Sequence, residues 1–254
     1  MRGMTAFLKK EFLALKRSKK FYISLGVFAL FAVLDVLLTI LTPKLFDLLS
    51  DQMAEMGMSM APIEADSPLC WQEFNENFAV MLIVFIVMFA GIMTDEYKKG
   101  TLVLVFTKGM SKKAVFISKF ISLLTSWTCG FFVMTAITAI CSACIWDNSV
   151  MHNMPQSLLC MWLVGIAACC LIMCFSTFCN GMGGILLWIG CVAFTCILLN
   201  IIPKASKFLP TSLLDTTSVM CGYSEIQIPS VLITIAICII SVVLGIFKFD
   251  KRDL

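Results

Sequence analysis

TDEYKKGTLVLVFTKGMSKKAVFISK, residues 94–119, stands between two long apolar segments and sets how each of them must run. It carries six lysines, two acids, a Gly100-Thr101 break and the apolar run Leu102-Val103-Leu104-Val105-Phe106. Lysines at this density mark a loop on the inner side of a membrane. Leaving the five apolar side chains of the run in water forfeits up to about 1.5–3 kcal/mol each. They need burial in the membrane interface or in another protein, so this reads as a membrane subunit driven by a soluble partner.

Composition agrees. Of 254 residues, 60% are hydrophobic and only 14% charged, with a mean hydropathy of +0.96. That is the balance of an integral membrane protein, not of a soluble domain. The net charge of +3 does not point to nucleic acid. The thirteen cysteines look like a disulfide scaffold until they are placed. Most lie inside apolar segments, where cysteine behaves as a small hydrophobe. Cys141 and Cys144 form the sole C-x-x-C, without a second pair or histidines at zinc spacing, and the lone His152 has no partner in sequence. No metal site is expected.

Six apolar segments are legible, at about 21–41, 78–93, 114–145, 156–178, 185–202 and 229–247. Each approaches or exceeds the roughly 20 residues that a spanning helix needs. The third is longer than required and should tilt or extend into water. The fourth and fifth are joined by Cys179-Asn180-Gly181-Met182-Gly183-Gly184, a tight turn suited to positive φ. The first segment keeps its place despite Asp35. One acid costs about 2.5–3.5 kcal/mol at mid-membrane, whereas its fourteen Leu, Ile, Phe and Val residues return roughly 0.3–0.6 each. Its length, and the absence of a small-x-small cleavage site, argue against a secretory signal.

Sixteen lysines and arginines fall on one side of this pattern and three, Lys44, Lys204 and Lys207, on the other. Both termini are therefore expected inside a multi-pass plasma-membrane protein. The outside loop at 42–77 is acidic, with Asp47, Asp51, Glu55, Glu64, Asp66, Glu73 and Glu76. Within it, residues 44–60 place Leu45, Leu48, Leu49, Met53, Met56 and Met60 on one helical face. With Met58, these thioethers suit apolar ligands or a soft metal such as Cu(I).

Three further features bear on function. Residues 1–20 form a basic amphipathic helix with Met4, Phe7, Leu8, Phe12 and Leu15 on one face and Lys9, Lys10, Glu11, Lys16 and Arg17 elsewhere. It is either a simple anchor or an elbow that steers the first span and touches a partner. Ala114, Ser118, Ser122, Ser126 and Gly130 recur every four residues, a stripe suited to close helix packing, to a subunit interface or to a substrate path. Asp35 is the one acid well inside a span, which makes it a candidate for substrate contact or gating.

The pattern Glu96-x-x-x-Gly100-Thr101, an apolar run, then Ser111-Lys112 and Lys119 opening the next span resembles the permease subunits of type-2 ATP-binding-cassette (ABC-2) exporters. The basic start, the closing Phe249-Asp250-Lys251-Arg252-Asp253-Leu254 and the number and spacing of spans resemble that family too. Lys112 departs from the arginine usual there, keeping charge without bidentate geometry.

The resemblance implies an all-α fold with six transmembrane helices, forming one permease domain over residues 1–254. It also implies a coupling loop at 94–113 and short re-entrant helices at 203–228, where Asp215 is the sole charge between 208 and 221. Glu96, Gly100, Thr101, Leu102, Val103, Leu104, Val105 and Phe106 would form the docking segment for an ATP-binding-cassette ATPase, in two copies. The chain has no G-x-x-x-x-G-K-[ST] motif, so ATP and Mg belong to that partner and this chain is no enzyme and holds no cofactor. A second permease, identical or paralogous, would complete the path, in contact with membrane lipid.

The expected cargo is amphiphilic, an antimicrobial peptide, antibiotic or lipid, as in antibiotic or bacteriocin self-protection. Asp35, Ser118, Ser122, Ser126 and Asp215 are the candidates for its path or gate. The competing readings are a sensor or scaffold that relays a signal and moves nothing, and an ion-coupled carrier using Asp35. Cys70 and Cys221 both fall outside, and a disulfide between them stays open.

Overall fold

The structure, a computed structural model, describes residues 2–55, 64–107, 109–149, 151–214 and 216–251, with side chains at 7–49 in the first stretch. Asp215, Met56, Met58, Met60 and residues 252–254 lie outside it, as do the side chains of Met4 and Met53.

Every described element is helical: α1 Arg2–Arg17, α2 Lys19–Glu55, α3 Ser67–Phe89, α4 Thr94–Lys98, α5 Thr101–Thr107, α6 Lys112–Ile145, α7 Met154–Phe178, α8 Met182–Asn200, α9 Pro203–Ser206, a 3-10 turn Pro210–Leu213, α10 Thr217–Met220 and α11 Ile228–Asp250. Six are long and apolar enough to cross a membrane, as expected. The second and first reach further than the apolar runs alone suggest. Asp66 caps α3, its carboxylate accepting from Leu69 N at 2.8 Å, and Pro68 follows in the first turn. At 1.5 Å per residue the 37 residues of α2 extend about 55 Å, well past a hydrocarbon core. The stretch 42–77 is thus largely two helical extensions.

The α7–α8 turn corrects an expectation. Its glycines do not use positive φ: Gly181 is extended, and Gly183 and Gly184 belong to α8. The turn closes through extended Cys179 and Gly181, and a Cβ at Gly184 would meet Cys179 Sγ at 3.1 Å.

The core is aromatic and centred on Trp127 of α6. Its ring stands 5.2 Å from Phe85, 5.8 Å from Phe28, 5.8 Å from Phe131 and 6.0 Å from Phe78. Edge and stacked pairs of this kind add to plain burial. Its indole N–H donates to Trp162 O at 3.2 Å, so the polar end is satisfied. Two glycines make room. A Cβ at Gly165 of α7 would fall 1.8 Å from the Trp127 ring, and one at Gly130 would fall 2.5 Å from Phe28.

The small-residue stripe of α6 lies mostly in packing. Ser118, Ser122 and Ser126 are buried, and α6 lies along α1 and α2. Ser118 Oγ donates to Ala114 O at 2.8 Å and Ser126 Oγ to Ser122 O at 3.0 Å, within their own helix. Elsewhere α11 runs along α7 and α2 along α3. The exception is α8, only 11% of whose span is buried, against 61% for α7.

Candidate functional site

The lysine-rich end of the bundle gathers α1, α4, α5, the start of α6 and the end of α11. The residues picked out by sequence pattern meet here, several of them in roles that the pattern did not show. Gly100, at φ +65°, ends α4 as expected; any other residue would be strained there. Thr101 Oγ1 donates to Glu96 O at 3.3 Å, satisfying a carbonyl at the end of that helix. Ser111 caps α6 by accepting from Ala114 N at 3.3 Å. The Glu96-x-x-x-Gly100-Thr101…Ser111 pattern thus encodes a break, a short helix and a restart.

The apolar run forms α5 and divides by face. Leu102 is 1% exposed and packs against Phe7 of α1 and Val115 of α6, so it is turned away from any partner. Val105 and Phe106 are half-buried. Phe106, Tyr97 and Phe116 surround Phe249 of α11, with ring centroids 6.4, 6.3 and 6.0 Å from it. Val103 at 47% and Leu104 at 64% are the exposed apolar side chains. Thr101 is exposed beside them.

A charge cluster holds these helices together. Lys119, 4% exposed, donates to Glu96 Oε1 at 2.6 Å and to Glu11 Oε2 at 3.3 Å. Glu11 also receives Lys10 at 2.9 Å. The cluster joins α1, α4 and α6, and it changes the reading of α1. The polar side was to hold Glu11, yet Glu11 and Phe7, one turn apart, are the buried line against α6. Leu8 and Leu15 are half-buried and Phe12 is 39% exposed. Nearer the surface, Lys20 meets Asp95 at 3.3 Å, Lys113 meets Asp250 at 3.5 Å and Lys112 donates to Asp250 O at 3.1 Å.

Burial would raise the Glu11 pKa, but Lys119 and Lys10 outweigh it and hold the carboxyl below the ordinary glutamate value. A group depressed in the folded state stabilises above its unfolded pKa and loses that contribution as pH falls through its folded one. The thermal midpoint of the purified protein is thus expected to fall with acid below about pH 4.3. Glu11→Gln should flatten that part of the profile, and an unchanged profile would remove Glu11 as its source.

The candidates for a path are not brought together. Asp35 is fully buried between α2, α3 and α6; its Oδ1 accepts from Asn77 Nδ2 at 2.8 Å. Its Oδ2 has no hydrogen-bond partner among the described residues, and it lines none of the described cavities. Ser122 borders a cavity beneath α1 that also holds Glu11, Glu96 and Lys119, while Ser118 and Ser126 are closed in packing. Cys70 and Cys221 are free thiols, and no group of three metal-ligating side chains occurs among the described residues.

Sequence reasoning missed Lys119, Glu11 and Phe249 as partners. A signal existed for Glu11, the sole acid among seven basic residues before position 21. Comparison with curated proteins gave no match. The family model described as ABC-2 family transporter protein matches residues 7–189, from Phe7 of the buried α1 line to the middle of α8. A helical bundle with six candidate spans, a short broken segment between two of them and a match over most of its length place this chain in the ABC-2 transporter family, as a multi-pass membrane permease.

Proposed function

We propose that the lysine-rich end is cytoplasmic and that α5 is the coupling helix on which a separate ATP-binding-cassette ATPase docks. The observation that carries this reading is the pair Val103 and Leu104, exposed on a short helix whose other side is fixed to α1, α6 and α11. A helix anchored on one face and apolar on the other transmits a push instead of absorbing it. Family membership implies such an ATPase in general. Two ATPase copies would bind ATP and Mg, and α1 would serve as the elbow.

A second permease, identical or paralogous, completes the transporter in this reading. The weakly packed α8 supports it, with Leu187, Phe194 and Ile197 among its exposed side chains. Hydrolysis then rocks the two subunits and moves an amphiphilic cargo outward, an antimicrobial peptide, antibiotic or lipid, with resistance as the benefit. The apolar walls of the spans favour such a cargo over a small polar solute.

The test is co-expression with a candidate ATPase, co-purification and reconstitution in vesicles. Stoichiometric capture and cargo-stimulated ATP hydrolysis are expected. A complex that hydrolyses ATP at one rate with every cargo, and moves none, would instead support a sensor.

A further inference from the structure

The outer face of α1 is more basic than its packing explains. Phe7 and Glu11 are buried on α6, and Leu15 and Ser18 continue that line half-buried. The other side carries Lys9, Leu13, Lys16 and Arg17, all exposed, with Phe12 beside them and Lys19 and Lys20 just past the break at Ser18. The nearby acids are already engaged: Glu11 by Lys10 and Lys119, Glu96 by Lys119 and Asp95 by Lys20. Lys9, Lys16, Arg17 and Lys19 form no ion pair among the described residues.

Helix dipoles account for only part of this. Lys16 and Arg17 close α1, where cations are favoured. Lys19 and Lys20 open α2, where they are not, and α2 has no acid in its first turn. Lys9 stands in the middle of its helix. A row of like charges without acids repels itself, and an anionic surface relieves that repulsion.

Depth identifies the surface. α1 runs into the first span through Ser18 alone. Leu15 and Ser18 border a cavity together with Met88, Phe89 and Ile92, from the lysine-rich end of the second span. Tyr22 and Ile23, where the first span begins, are 56% and 58% exposed. Aromatic and apolar side chains interleaved with lysines mark the depth of lipid head groups, and exposed Phe12 and Leu13 extend that pattern along α1. The acidic face of a soluble protein would have to pass through the head groups to reach Lys19.

We propose that the outer face of α1 binds the anionic lipid of the leaflet at the lysine-rich end. Lys9, Lys16, Arg17 and Lys19 meet its net negative charge, and Phe12 and Leu13 enter among the acyl chains. The contact bears on the docking segment, because Phe7 packs with Leu102 of α5 and Glu11 holds Lys119 of α6. A lipid-held α1 is thus the backing of α5. The inference needs only α1 and the bilayer, so it survives if the ATPase reading fails.

The experiment reconstitutes the full chain in vesicles of equal parts phosphatidylglycerol, phosphatidylcholine and phosphatidylethanolamine, extracts it, and counts retained lipid by native mass spectrometry. Retained phosphatidylglycerol is expected to exceed either zwitterionic lipid by about tenfold or more, since each Lys or Arg at such a surface is worth about fivefold. The excess should shrink as salt is raised, because exposed charges are screened. Lys9→Gln with Lys16→Gln and Arg17→Gln should remove most of it. Thirteen of the sixteen charges on that side remain in this variant, which keeps the chain's orientation. Lys9→Arg with Lys16→Arg should keep the excess. Phosphatidylglycerol should also shield Lys9 and Lys16 from an amine-reactive label without any ATPase present. Equal retention of the three lipids would overturn the assignment, as would a triple variant that keeps the full excess. So would shielding of Lys9 and Lys16 by an added ATPase and not by phosphatidylglycerol, which would give this face to the soluble partner.

Discussion

Val103→Asp combined with Leu104→Asp is expected to release the ATPase while the permease still folds and inserts. The two side chains are 47% and 64% exposed, so the subunit loses little when they become polar. Burial of two such side chains in a partner's groove is worth about 1.5–3 kcal/mol each, and a carboxylate forced into that groove adds a desolvation cost. The sum corresponds to at least a hundredfold in affinity, about 2.7 kcal/mol or more. Pull-down of the ATPase through the tagged permease reads this directly. Retention of stoichiometric ATPase by the double variant would end the docking assignment. Leu102→Asp makes the contrast: it buries a charge between Phe7 and Val115 and should lower the yield of folded permease before any docking is measured.

The second large effect is expected at Lys119. Lys119→Met fits the space but leaves Glu11 and Glu96 facing each other without their cation. Removing one partner of a buried charge group typically costs about 3–5 kcal/mol, because the remaining charge is stranded. A marked drop in thermal midpoint and loss of ATPase capture should follow, since α1 and α4 lose their shared attachment to α6. Replacing both acids as well, in the variant Glu11→Gln, Glu96→Gln, Lys119→Met, should recover much of the loss. Such non-additivity is the signature of a coupled cluster. A Lys119→Met protein as stable as the native one would show that the cluster holds nothing together.

The six spans were readable because each is long, apolar and bounded by charge or by turn residues. The helix break at Gly100 was readable for the same local reason. Positions 102–106 were readable as a class but not by face. Which of five apolar side chains turns inward depends on where Phe7 and Val115 lie, and no local pattern records that. Lys119 was assigned by type to the lysine-rich side and counted toward topology. Its burial depends on two carboxylates 108 and 23 residues away in the chain. Ser118, Ser122 and Ser126 show the opposite difficulty. A stripe of small hydroxylated residues looks the same whether it lines a path or receives a neighbouring helix. Here the Ser118 and Ser126 hydroxyls bond back to their own helix and Gly130 receives Phe28.

Phe249 and Asp250 have a practical consequence. The last turn of α11 supplies the ring that Tyr97, Phe106 and Phe116 surround, and the carboxylate and carbonyl that Lys113 and Lys112 reach. An affinity handle or fluorescent fusion placed directly after this turn would press on the ring cluster and charge contacts that seat α5 and the start of α6. A flexible spacer, or a reporter at the other end of the bundle, avoids taking a perturbed device for the native one.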